Sequence, residues 1–295
     1  MLRVSAFGHL WFAILALSLC SFLLVSAAPS HGQRAIPDDS LAYPVLIQRS
    51  DGAASGFYLN TPTSIYLVTA KHVLFDPQRG TLRVPQVDLL SYSSKPKEPG
   101  KIILGVDVAT LLRVGEVKVH PREDVVVVRI GTKGAVTVDD PNGDRLTLHP
   151  AVILREATAS GLLGIQLAHV KKYDEVLVGN EVIVFGYPVS LGLKDLPQLD
   201  PLRPLLRAGI VAGQNPTTKS LIIDCPAYPG NSGGPVVEIT REAFRAHFRI
   251  VGVVREFVPF EEQSINRQFG YVNRFLTNSG YAVATPMDFV LELIK

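Results

Sequence analysis

The sequence predicts an all-β protein of antiparallel barrel architecture, ending in a short α-helix. Two observations carry this. From residue 41 onward, short apolar stretches alternate with clusters of Gly, Pro, Asp and Ser, the spacing of strands joined by tight turns. The last residues, 285–295, instead place Met287, Val290, Leu291, Leu293 and Ile294 at helical spacing, which suits a terminal helix docked on a barrel.

At the start of the chain, Met1-Leu2-Arg3 is a basic lead, 10–27 is apolar, and Val25-Ser26-Ala27-Ala28 offers small residues for cleavage after Ala27. Residues 1–27 therefore read as a signal peptide, which places the mature chain outside the cell or in the periplasm. The alternative is an uncleaved anchor formed by 10–27, since a stretch of that length just spans a bilayer. A lipoprotein signal is disfavoured, because the bulky Leu19 precedes Cys20. Residues 28–40 are polar with two prolines and read as a flexible lead. After cleavage Cys225 is the remaining cysteine, so no internal disulfide can form and stability must come from the core. About 270 residues are enough for that, as one large domain or two packed lobes.

Strands are expected at 43–47, 56–59, 65–69, 82–84, 101–104, 110–114 and 125–130. The region 131–164 reads as a hairpin and a linker; its turn 139–144 carries three acids, and a solvated turn is favoured over a calcium loop. Strands resume at 165–170, 181–185, 205–211, 220–224, 236–239, 248–254 and 281–284.

Three segments carry chemistry. Residues 229–236 hold three glycines and two prolines, which excludes a helix interior and makes a tight turn presenting Ser232 ahead of the apolar strand 236–239. Its glycines allow the amides of Gly230 and Ser232 to converge on one side, as an oxyanion requires. The apolar strand 64–69 delivers His72 just past its end, and Asp124 immediately precedes four valines. Singly, His72 reads as a structural histidine and Asp124 as a strand-start residue. Together they match a chemical need: a serine hydroxyl requires an imidazole to take its proton, and the imidazole requires a carboxylate to fix its tautomer and balance its charge.

These segments resemble the trypsin-like (chymotrypsin-fold) serine proteases. Thr69-Ala70-Lys71-His72 matches the histidine motif, Asp124-Val125-Val126-Val127-Val128 the aspartate motif, and Gly230-Asn231-Ser232-Gly233-Gly234-Pro235 the serine motif, in the family's order. The segments Gly186-Tyr187-Pro188 and 280–286 are similar to those of bacterial exported Htr/Deg-type proteases, and no PDZ domain is expected. The resemblance implies two packed antiparallel six-stranded β-barrels (chymotrypsin-like) with a short C-terminal α-helix: a lobe with linker at 41–164 holding His72 and Asp124, and a lobe at 165–295 holding Ser232. It implies a serine endopeptidase acting on polypeptide substrates through an acyl-enzyme, with Gly230 and Ser232 as the oxyanion hole. It also puts Pro226 at the base of the substrate pocket, with walls near Arg255 and Gly280. Asn231 stands where trypsin-type zymogens carry the aspartate that pairs with a new N-terminus, so signal cleavage alone is expected to give a competent enzyme. No acid sits at the pocket base; Asp224 and Glu256 are the nearest. Small or medium apolar side chains are therefore the expected cleavage determinant. Arg255 either narrows the cleft or points to water.

Composition excludes bulk-charge partners: 47% hydrophobic, 19% charged and a net charge of +2 favour neither nucleic acid nor an anionic surface. His120, His149, His169 and His247 lack ligand spacing and read as structural or surface residues, so neither a metal nor a cofactor is expected. No stable membrane span is expected once the signal is removed. Two rival functions share these motifs: an esterase with the same triad, and a catalytically inactive member of the fold that binds peptides or glycans.

Overall fold

The run Val125-Val126-Val127-Val128 sets how the molecule is layered, because all four side chains are fully buried. Alternate residues of a strand face opposite ways, so a strand stays apolar throughout only where both faces are covered. Val126 and Val128 fill the core of a first sheet. Val125 and Val127 face a second cluster, where residues from both halves of the chain meet. The computed structural model describes residues 36–37, 39–93, 100–134, 146–159, 161–188, 196–242 and 245–295. The expected signal peptide 1–27, most of the lead 28–40 and the acidic turn 139–144 lie outside the described residues.

The first half is a curled ten-stranded sheet made of β1 (Pro44–Arg49), β2 (Gly52–Asn60), β3 (Ser64–Thr69), β4 (Gln86–Tyr92), β5 (Lys101–Asp107), β6 (Val117–Val119), β7 (Val126–Lys133), β8 (Leu146–Leu148), β9 (Val152–Ala157) and β10 (Ile165–Gln166). Its order is β6-β7-β3-β2-β1-β4-β5-β9, with β8 added to β7 and β10 lying parallel to β2. The second half closes into a six-stranded antiparallel barrel from β11 (Glu181–Gly186), β12 (Leu205–Asn215), β13 (Ser220–Asp224), β14 (Pro235–Glu242), β15 (Arg245–Asn266) and β16 (Tyr271–Pro286), in the order β11-β12-β13-β16-β15-β14. The terminal helix is present at Met287–Leu293. Its buried Met287, Phe289 and Val290 pack with Phe57, Val68 and Val127 of the first sheet and Ile250 and Val253 of the barrel. The helix thus seals the seam between the halves.

Three expected strands differ. Residues 110–114 fall mostly in a helix, Val108–Arg113, because the Asp107 side chain accepts the Thr110 amide (2.9 Å) and caps its first turn. Residues 82–84 contribute one isolated bridge, Phe75 to Leu82. At 165–170 the strand stops after two residues, and Leu167–His169 tightens into a 3-10 turn where the chain crosses toward the barrel. Among the described residues, no helix is long and apolar enough to cross a membrane.

The crossover is tied down by a buried charge. Glu238 on β14 is wholly enclosed; it accepts from Lys171 Nζ (2.7 Å) and from the Asn180 side-chain amide. A buried carboxylate that loses its cation keeps its desolvation cost, whereas removing both charges relieves it. Lys171→Met is therefore expected to destabilise the fold by about 3–5 kcal/mol, and the double variant Lys171→Met/Glu238→Leu to recover most of that. Urea unfolding of both variants checks this; a single variant as stable as the double would contradict it.

Candidate active site

Ser232 sits on a turn with no room for additional side chains. Gly230 and Gly233 have φ of +99° and +87°, the left-handed region that glycine enters without strain. A Cβ on Gly233 would overlap Thr69 Oγ1 and the Ser55 carbonyl, and one on Gly234 would overlap the Phe185 carbonyl. The turn is thus wedged between β2 and β3 of the first sheet and β11 of the barrel. Ser55 holds it there: its Oγ donates to the Gly230 carbonyl (2.7 Å) and accepts the Tyr187 amide (2.9 Å), while its own amide donates to the Ser232 carbonyl (3.1 Å).

Within the turn the amides divide into two sets. Asn231 N donates to Tyr228 O (2.9 Å), Gly234 N to Asn231 O (2.9 Å) and Gly233 N to Val254 O (2.8 Å). Among the described residues, the amides of Gly230 and Ser232 donate to no protein group. Those are the two amides that the sequence assigns to an oxyanion. Asn231 is buried and its side-chain carbonyl accepts the Tyr228 amide (2.9 Å), so it braces the turn from inside.

His72 lies in the short helix Lys71–Leu74 that follows β3. Its Nδ1 is 2.7 Å from Asp124 Oδ2, and its backbone amide donates to Asp124 Oδ1 (2.9 Å). With the carboxylate on Nδ1, that nitrogen carries the proton and Nε2 is left as the acceptor. Burial raises the Asp124 pKa, but the hydrogen bonds and charge of His72, together with the Arg255 charge, outweigh it and hold the carboxyl below its ordinary range. The loop carrying Asp124 is shaped by His120, whose Nδ1 accepts the amides of Arg122 (3.3 Å) and Glu123 (2.8 Å). Its Nε2 lies 3.2 Å from Glu292 on the terminal helix, and its ring meets Phe289 edge-on at 5.0 Å. Seen in sequence His120 reads only as structural or surface; its signal was its place four residues ahead of Asp124.

His72, Asp124 and Ser232 line one cleft of about 720 Å³ between the halves. In this conformation the Ser232 hydroxyl donates to the Arg255 carbonyl (3.2 Å) instead of to His72. The trypsin-like peptidase domain family matches residues 54–244, a span that contains all three residues. The chain belongs to that family. Among solved structures it is similar to the HtrA-type protease AlgW with a tripeptide (16% identity, 87% of this chain and 60% of that one, TM-score 0.47). It is also similar to the thermostable serine protease AL20 from an extremophilic microorganism (12% identity, 87% and 96%, TM-score 0.46) and to Deg5 (16%, 86% and 88%, TM-score 0.42). The chain spans 60% of the length of AlgW. No curated protein matches it.

The family's pocket residues are placed unevenly. Arg255 lines the cleft, and its half-exposed side chain pairs with Glu256 (3.0 Å). Pro226 and Gly280 do not line the cleft; Ala227, Tyr228, Val254 and Phe257 do. Asn278 on β16 donates to the Ala227 carbonyl (2.6 Å) and closes the barrel wall at that point. Asp224 is exposed at the end of β13. Among the described residues, no group of acids, histidines or cysteines is arranged to hold a metal ion.

A depressed Asp124 pKa has a definite sign in the pH dependence of stability. The ionised carboxylate stabilises the fold above its unfolded pKa of about 3.9, and that contribution disappears as the pH falls through the lower folded value. Thermal midpoints of wild type are therefore expected to fall more steeply below about pH 4 than those of Asp124→Asn. An equal or steeper acid loss in the variant would contradict the pairing.

Proposed function

We propose that the chain is a serine endopeptidase that cuts polypeptides through an acyl-enzyme. The observation that carries this reading is the doubly bonded Asp124–His72 pair in the same cleft as Ser232, beside two amides with no acceptor among the described residues. On substrate binding the Ser232 hydroxyl leaves the Arg255 carbonyl and turns to His72; catalytic hydrogen bonds commonly tighten only once substrate is bound. Ser232 Oγ then attacks the scissile carbonyl as its proton passes to His72 Nε2, and the amides of Gly230 and Ser232 receive the oxyanion. The C–N bond breaks as the imidazolium hands that proton to the leaving amine. Water, deprotonated by His72, attacks the acyl ester and releases the acid. Asp124 keeps the imidazole in its reactive tautomer and balances its charge throughout. The apolar N-terminal stretch supports secretion or a periplasmic location for this activity.

The cleft also bears on which bond is cut. Tyr228 and Phe257 bring apolar surface to the cleft over Ala227 and Val254 of the barrel core, and Glu256, next to Phe257 in sequence, pairs with Arg255. An incoming Lys or Arg would be left without a free counter-charge, which is costly once desolvated. A fitted apolar side chain gains about 0.8 kcal/mol per methylene. Profiling a peptide library should return mainly Val, Ala or Leu on the acyl side of the cut, and Ser232→Ala should slow cleavage by about four to six orders of magnitude. A majority of Arg or Lys would overturn the specificity, and undiminished cleavage by Ser232→Ala the nucleophile.

A further inference from the structure

Past the barrel, β15 and β16 continue as a ribbon that, among the described residues, pairs only with itself. β15 pairs with β14 as far as Val253 and β16 pairs with β13 from Tyr281, while the mutual register runs from Pro259–Asn278 to Asn266–Tyr271. Eight residues at about 3.3 Å each carry the tip about 25 Å beyond its base. The base is fastened by Ser279 Oγ donating to Val258 O (2.6 Å) and by Asn278 to Ala227 O. The tip is equally well built. Asn266 Oδ1 accepts the amides of Gln268 (3.1 Å) and Phe269 (3.0 Å), and its carbonyl accepts that of Gly270 (2.9 Å). Phe269 then stacks on Tyr271 with ring centroids 6.5 Å apart.

This shaped tip presents apolar surface to solvent. Phe269 is 70% exposed, Ile265 62%, and Tyr271 and Val272 50% each. Cross-strand pairs share a face, so Ile265 and Val272 lie on one side of the ribbon and Tyr271 on the other. A flat protein partner would cover one side only. Charge is placed along the ribbon as well. Arg267 stands in the turn itself, among these apolar groups; behind it come a polar rank of Ser264, Asn273, Gln263 and Arg274, and nearer the base the acids Glu261 and Glu262 beside the exposed Phe260, Phe275 and Leu276. Arg274 meets Glu261 at 3.5 Å in an exposed pair, which is weak.

We propose that this tip is a docking surface for an anionic phospholipid bilayer. Apolar groups on both faces enter the acyl boundary together with the stem of Arg267, whose guanidinium turns back to the phosphates; Arg274 meets them from behind, and Glu261 and Glu262 stay clear of them. Interfacial insertion reaches about 5–10 Å, the depth of the residues from Ile265 to Val272. The unpaired outer edges of the ribbon stop deeper entry, because their backbone groups need water. The ribbon is the continuation of the strand whose Val254 and Phe257 line the cleft, so docking brings the cleft close to the membrane surface.

The test places an indole at the tip of the full chain, as Trp11→Phe/Phe269→Trp, which removes the single native tryptophan. Its emission then reports the tip alone, whatever residues 10–27 do. Phosphatidylglycerol vesicles should shift the emission to the blue and brominated acyl chains should quench it, while pure phosphatidylcholine should give little change. Adding Arg267→Gln and Arg274→Gln should weaken vesicle partitioning about 30-fold, at roughly fivefold per basic residue. Unchanged emission with anionic vesicles would overturn the proposal. So would a blue shift that grows with protein concentration in the absence of lipid, which would assign the tip to a second copy of the chain.

Discussion

Everything in the candidate site depends on one buried contact across the two halves, the one Ser55 makes with the serine turn. Ser232, the proposed nucleophile, comes from the barrel and His72, its proposed base, from the curled sheet, so the turn must be registered against a foreign sheet to within a hydrogen-bond length. Ser55 supplies that registration through its hydroxyl and its amide. Thr69 locks Ser55 in turn by donating to its carbonyl (2.7 Å). These groups are buried, so each is committed: a partner removed leaves an unpaired polar atom that water does not reach. The glycines at 233 and 234 follow from the same closeness, since the turn touches backbone and hydroxyl groups where a Cβ would stand.

His72 is positioned by a different route. Asp124 fixes His72 through two bonds, His120 fixes the loop of Asp124, and the terminal helix fixes His120 through Glu292 and Phe289. The last helix in the chain therefore acts on a site formed mostly by residues far ahead of it. Its apolar face seals the seam, and its polar face steadies the acid loop. The Arg255 side chain adds to this field by favouring the ionised form of Asp124, while its carbonyl holds the serine hydroxyl in the free state.

The shared cleft of His72, Asp124 and Ser232 was legible in the sequence because each of the three stands at an element boundary and the serine turn needs its glycines in a fixed order. The barrel was legible from the spacing of apolar runs. Other features were hidden for physical reasons. The stretch around Thr110 and Leu111 is a short apolar run that suits strand and helix alike; the Asp107 cap decides it. The outer parts of β15 and β16 mix Glu, Gln, Ser and Asn with aromatics, so no apolar run announces a strand, and their regularity comes from pairing alone. Ser55 is a common residue in a small-residue strand, and only the fold shows that its hydroxyl reaches the turn 175 residues away. Pro226 and Gly280 were placed by analogy of spacing; next to Pro226, Ala227 and Tyr228 line the cleft, and no residue beside Gly280 does.

Ser55→Ala isolates the contact on which the site depends, because the change removes one hydroxyl and leaves His72, Asp124 and Ser232 untouched. The rate at which a fluorophosphonate labels Ser232 measures the result, with circular dichroism on the same sample to confirm the fold. Leaving the Gly230 carbonyl and the Tyr187 amide unpaired should slow labelling about 10- to 100-fold in a protein that remains folded. Labelling at the wild-type rate in the folded variant would show that the turn holds its shape without Ser55, and would contradict the account.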